Sequence, residues 1–202
     1  MQPLTEIRGR AAPMQAAHID TDVIMPKQFL KGIDRAGLGD KVFFDQRYDS
    51  VGAPRQDFIL NREAWRDSRF LIVGPNFGCG SSREHAVWGL MQFGIRALIG
   101  TSFAGIFNDN CRSNGLLTVT LAADQIAMLL AHAGDPARNM LMLDLASQEM
   151  TVVHNGTVIA FEIDARRKRA LLVGLDAIGT TLQDAQAIGQ FEATRRTAYR
   201  WL

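Results

Sequence analysis

The sequence predicts an α/β fold with a small parallel β-sheet core flanked by helices, to which antiparallel hairpin elements are added. Three observations predict it: the unbroken apolar run Phe70–Val73, the glycine-rich turn behind it that opens into an amphipathic helical pattern, and the repetition of that order as far as Leu121. A short, continuous apolar run suits a strand buried on both faces. Strand–helix–strand units cross over right-handed, which places their strands parallel.

Taken in order, "HIDTDVIMP" (18–26) is expected to begin extended and to stop at Pro26. "KQFLKGIDRAGLGD" (27–40) is charged, spaced by glycines and poor in packing residues, and reads as a mobile loop. "FLIV" is the first core strand. Ala86, Val87, Leu90 and Met91 then recur at helical spacing as far as Gly94, which predicts a helix closed by a left-handed cap. "IRALI" (95–99) is the second strand. Ser102 is placed to cap a helix carrying Phe103, Ile106 and Phe107, which breaks at Asn114-Gly115 before the third strand, "LLTVTL" (116–121).

Beyond this three-stranded parallel core, "MTVVHNGTVIAFEI" (150–163) alternates apolar and polar residues around Asn155-Gly156, a strong hairpin signal. Helical patterns follow at Ala165–Gly174 and Gln183–Arg200, with basic residues on their polar faces. They read as a C-terminal helical extension (about 165–202) of a single domain spanning 1–202, since 202 residues lie in the range of one globular unit.

Composition excludes several classes of function. Twenty-two basic residues against 21 acidic ones give a formal charge of +1, so no global field steers the chain toward nucleic acid or an anionic membrane. No segment has the length and apolarity of a membrane span or a secretory leader, and a cytoplasmic location is expected. The only cysteines, Cys79 and Cys111, and the four histidines lack metal-ligand spacing. A function that needs a metal cluster must obtain it from another chain.

The chemistry concentrates in "NFGCGSSREHAVWGL" (76–90). Ser81 followed by Glu84 fits a capping box. Two glycines ahead of it, Gly78 and Gly80, point further, because glycine is used where the backbone turns tightly or meets a ligand closely. Free N–H groups at a helix start and the guanidinium fork of Arg83 suit an anion. A phosphate-binding loop would need Gly-Lys-Ser/Thr, and a dinucleotide fingerprint would need a glycine where Arg83 stands. A nucleophile scheme pairing Cys79 or Ser81 with His85 lacks a carboxylate to orient the imidazole. Proton abstraction beside a carboxylate, with a serine oxygen as base, would use all the stabilisers this turn offers.

"GCGSSREHA" resembles the serine signature of the aconitase superfamily's swivelling β/β/α domain. "HIDTDVIMPKQFL", "NFGCGSSREHA", "SFAGIFNDNC", "NGLL" and "GLDAIGTTLQ" resemble, in order and over essentially the whole chain, the bacterial 3-isopropylmalate dehydratase small-subunit family. The resemblance implies a hydro-lyase of two different chains that isomerises 2-isopropylmalate to 3-isopropylmalate through isopropylmaleate in leucine biosynthesis. A substrate of methylmalate, dimethylmalate or homocitrate type is the alternative it leaves open. It implies a [4Fe-4S] cluster on a large-subunit partner, in keeping with the expectation of no cofactor on this chain; the near-neutral charge leaves no nucleic-acid or membrane partner expected. By position, Ser81 resembles the catalytic base, Ser82 and Arg83 resemble substrate-carboxylate ligands, and Asp22 resembles a supporting aspartate. Residues 28–38 fall where the superfamily reads the variable substituent of its substrate, with Phe29, Leu30, Lys31, Ile33 and Arg35 as candidates. Gly105 departs from the aspartate more common in "SFADIF".

Overall fold

The computed structural model describes residues 1–30, 35–199 and 201. Seven strands form one sheet in the order β4-β3-β2-β1-β5-β6-β7. They are β1 (Glu6–Met14), β2 (Phe70–Val73), β3 (Ala97–Gly100), β4 (Leu117–Thr120), β5 (Met140–Asp144), β6 (Glu149–Val152) and β7 (Thr157–Ala160). The parallel part has four strands, one more than the apolar runs predict. The added strand is β1, which is long enough to serve two neighbours. Its C-terminal half pairs in parallel with β2, Ala11 to Met14 against Phe70 to Val73. Its N-terminal half pairs antiparallel with β5, Glu6 to Arg10 against Asp144 to Met140.

Among the described residues there are eight α-helices, α1 (Thr21–Ile24), α2 (Phe44–Arg47), α3 (Glu84–Phe93), α4 (Gly105–Asn114), α5 (Ala123–Ala133), α6 (Ala165–Val173), α7 (Ala177–Leu182) and α8 (Ala185–Ala198), and three short 3-10 turns. The period of two along β2 divides the core between the sheet's faces. Phe70 and Ile72 join Ile126 and Leu129 of α5, Leu171 of α6 and the inward residues of β5 to β7. Leu71 and Val73 join Ala86, Val87 and Leu90 of α3 and Phe107 and Cys111 of α4. All four β2 side chains are 0% exposed, each contributing about 1.5 to 3 kcal/mol by burial. The α3 and α4 crossovers therefore lie on one face, and the turns at the strand ends that precede them lie on one edge.

Several expectations are met in detail. Helix α3 stops at Gly94, whose φ of +115° takes the left-handed cap, and α4 stops at Gly115 with φ +84°. The hairpin joins β6 to β7 across Asn155-Gly156. Others are corrected. "HIDTDV" turns helical at Thr21, because Asp20 caps α1 by accepting a 2.7 Å bond from Val23 N–H. Ser102 does not cap α4, whose N-cap is Ala104; its Oγ instead accepts from Asn76 N–H at 2.9 Å. Helix α8 begins at Ala185, and α7, capped by Asp176, is a helix that the apolar pattern does not predict. Residues 27–40 carry short 3-10 turns at Lys27–Phe29 and Gly39–Lys41.

Candidate active site

The chain leaves β2 and reverses through left-handed positions at Asn76 (φ 56°), Gly78 (φ 77°) and Gly80 (φ 89°) before α3 begins. At Gly78 a Cβ would lie 2.1 Å from the Phe107 ring, so packing as well as φ requires glycine there. A second segment, His18 to Thr21, runs beside this turn and holds it. His18 N–H donates to Pro75 O at 2.9 Å, Gly78 N–H to Ile19 O at 2.8 Å and Thr21 N–H to Cys79 O at 2.8 Å. Asp20 and Cys79 form an isolated parallel bridge.

Thr21 is the centre of that clamp. Its side chain is buried, at 1% exposure. Its Oγ1 donates to Ser81 O at 2.9 Å and accepts from Ser81 N–H at 3.2 Å. Both backbone groups of Ser81 are thereby fixed while the residue itself stays exposed. Among the described residues nothing bonds the Ser81 hydroxyl, which is free to meet a ligand. Ser82 is exposed beside it, and its N–H and that of Glu84 find no acceptor among the described residues. They stand at the positive end of the α3 dipole.

The capping box is corrected here. Arg83 is the N-cap residue, extended at φ −87°, ψ 114° and without a side-chain cap. Ser81 precedes the helix by too much to cap it, and its backbone is already taken by Thr21. Glu84 accepts instead from Asn114 Nδ2 at 2.6 Å, tying α3 to α4.

The structure brings Asp22 and Arg83 together as an ion pair, with side chains 37% and 21% exposed. Lys27 Nζ lies 3.3 Å from the other Asp22 oxygen. Ser81, Ser82, Arg83 and Asp22 thus share one end of the sheet. Phe29 and Leu30 are half-buried against the core, Phe29 meeting Phe44 edge-on at 4.9 Å. Arg35 places its guanidinium 4.0 Å over the Trp88 ring. Lys31 and Ile33 lie outside the described residues. His85 packs against Trp88 at 4.8 Å and makes no hydrogen bond to Ser81 or Cys79 among the described residues, so the nucleophile scheme has no geometry behind it.

Sequence reasoning missed Thr21 and Asp20. An aspartate just ahead of Val23-Ile24 is a legible cap signal; the Thr21 clamp joins residues 60 positions apart and has none. Cys79 is half-buried with Sγ 3.4 Å from His18 O, and Cys111 is fully buried on the inner face of α4. Among the described residues no three His, Cys, Asp or Glu side chains are grouped to hold a metal ion.

Fold and turn together define a swivelling domain of the aconitase type, and the aconitase C-terminal domain family matches residues 1–124. The family of C-terminal domains from the small subunits of 3-isopropylmalate dehydratase matches residues 178–202. The chain is 55% identical to 3-isopropylmalate dehydratase small subunit 1 of Mannheimia succiniciproducens, over 100% of this chain and 99% of that one. It is 50% identical to the small subunit of Jannaschia sp., over 100% of both. A crystal structure of 3-isopropylmalate dehydratase from Methanocaldococcus jannaschii superposes with a TM-score of 0.65 at 26% identity, covering 93% of this chain and 99% of that one. The chain belongs to the 3-isopropylmalate dehydratase small-subunit family.

Proposed function

We propose that this chain is the small subunit of a cytoplasmic 3-isopropylmalate dehydratase, a hydro-lyase of leucine biosynthesis that interconverts 2- and 3-isopropylmalate through isopropylmaleate. The names of its relatives favour this substrate over another hydroxy-diacid. The observation that carries the residue assignment is the exposed Ser81 hydroxyl on a backbone locked by Thr21, next to the Arg83–Asp22 pair.

Elimination of water from a malate requires removal of a proton from carbon beside a carboxylate. Ser81 Oγ takes that proton, and returns it on the opposite regiochemical course during rehydration. A serine alkoxide is far too basic to persist in water, so it needs local stabilisers. The N–H groups of Ser82 and Glu84, the α3 dipole and the Arg83 cation supply them. Arg83 and Ser82 hold a substrate carboxylate, and Asp22 keeps the Arg83 fork aimed. A [4Fe-4S] cluster on the large-subunit partner supplies Lewis-acid chemistry at the substrate hydroxyl. The short dipole-bearing edge of this chain faces that partner when the site is assembled.

The test is reconstitution. The chain alone is inactive, and mixing it with a matching cluster-loaded large subunit yields hydration of isopropylmaleate. Ser81→Ala in that mixture lowers kcat by about 10²- to 10⁴-fold, the range for loss of a positioned acid–base group. Near-wild-type turnover by the variant would remove Ser81 from the role.

A further inference from the structure

Helix α3 carries the turn of Ser81 at its start, and further along it grips the segment Arg35–Leu38. Gln92 uses both ends of its amide on that arm: Oε1 accepts from Leu38 N–H at 2.9 Å, and Nε2 donates to Arg35 O. One turn back, Trp88 lies under the Arg35 guanidinium, 4.0 Å from the ring centroid. Trp88 is itself fixed, because its Nε1 donates to Asn114 Oδ1 at 2.9 Å. Asn114 in turn donates to Glu84 Oε1 at 2.6 Å and to Asn110 O at 2.9 Å. Where the arm ends, contact is too close for side chains. A Cβ on Gly39 would lie 2.9 Å from the Gln92 backbone, and one on Gly89 would lie 2.4 Å from Met25 Cε.

We infer that Gln92 and Trp88 are positioning residues for substrate specificity: they clasp Arg35–Leu38 to the same rigid helix whose first turn presents Ser81. Neither touches the reacting atoms. The residue spacing of four puts both on one face of α3. Gln92 is exposed, and Trp88 packs against the core while staying half-buried, so both can meet that segment from the helix surface. The clasp gives the Arg35 side chain a structural partner in the Trp88 ring. On the other arm Phe29 is held by Phe44, with Lys41 Nζ 5.3 Å over its ring, so the segment is anchored at both described ends. The distance between Ser81 and the Arg35–Leu38 part of the arm is then set by helix geometry.

The inference rests on the dehydratase reading, and two measurements separate the failures of the two. In the pair reconstituted with the large subunit, kcat/KM is measured for isopropylmaleate and for methylmaleate. Gln92→Ala and Trp88→Leu each raise KM for isopropylmaleate about 5- to 30-fold, leave kcat within about twofold, and narrow the ratio of the two substrates. Trp88→Phe, which keeps a ring beneath Arg35, retains most of the discrimination. The second measurement needs no activity: trypsin cleaves the full-length chain after Arg35 at least fivefold faster in Gln92→Ala than in wild type, while its other sites are unchanged. An unchanged substrate ratio, or equal losses on both acids, overturns the specificity role. Unchanged cleavage after Arg35 overturns the clasp, whether or not the pair turns over.

Discussion

Asp22 and Arg83 come from segments 61 positions apart in number and meet as an ion pair across the glycine turn. The pairing leaves Arg83 oriented before any substrate arrives. Asp22→Asn keeps the shape and removes the charge; KM for isopropylmaleate rises about tenfold in the reconstituted enzyme. Arg83→Lys loses the planar fork and costs more, about 10²-fold in kcat/KM. Steady-state kinetics at fixed large-subunit excess measures both.

Thr21 offers a sharper separation of stability from chemistry. Thr21→Val is nearly isosteric, strands the Ser81 N–H and loosens its carbonyl, which Arg83 N–H still reaches at 2.9 Å. The expected loss is about 1 to 2 kcal/mol in urea denaturation, with a kcat reduction of at least tenfold because the base is no longer held still. Thr21→Ser restores both.

Two glycines near the site respond in opposite directions. Gly78→Ala meets the Phe107 ring and a φ of +77°, and loses about 2 to 4 kcal/mol. Gly105→Asp enters open space at the first residue of α4, where an acidic side chain suits the helix N-terminus. It gains about 0.5 to 1 kcal/mol. Thermal melts of the two variants against wild type read the contrast.

The cysteines differ in reactivity. Burial pushes the Cys111 thiol far above the ordinary thiol value, and the Arg167 cation opposes this only in part. Iodoacetamide on the native chain therefore labels Cys79 and spares Cys111, whereas unfolded chain takes label at both, as peptide mass spectrometry reads. The sign for stability follows. A thiol that holds its proton more tightly when folded contributes its full stability below the unfolded value of about 8.5, and that contribution drains as pH rises beyond it, by about 1.4 kcal/mol per unit. Urea midpoints at pH 8 and pH 10 fall less in Cys111→Ala than in wild type.

The features legible in sequence were those encoded locally. "FLIV", the helix ending at Gly94 and the Asn155-Gly156 hairpin each carry their period and their punctuation within a short window. Strand β1 does not: "EIRGRAAPM" mixes charges, a glycine and a proline, and it is a central strand because small residues there admit neighbours. Gly9 is an instance, since a Cβ would lie 2.4 Å from Arg69 Cγ. Ser81 and Arg83 could be found from the glycine turn, and Asp22 from family resemblance. The Thr21 clamp and the Gln92 clasp join distant segments through side chains of ordinary type, and only the fold displays them.

The double duty of β1 also decides how the polypeptide can be divided. Severed between α5 and β5, the first piece would keep Glu6–Arg10 with its ladder groups bare on one side, and the second would hold a three-stranded ribbon with Met140–Asp144 equally bare. Bare backbone edges invite indiscriminate pairing. The parallel and antiparallel portions are thus not separable modules: each is the other's cover, and a cell that made them apart would be making two aggregation-prone fragments.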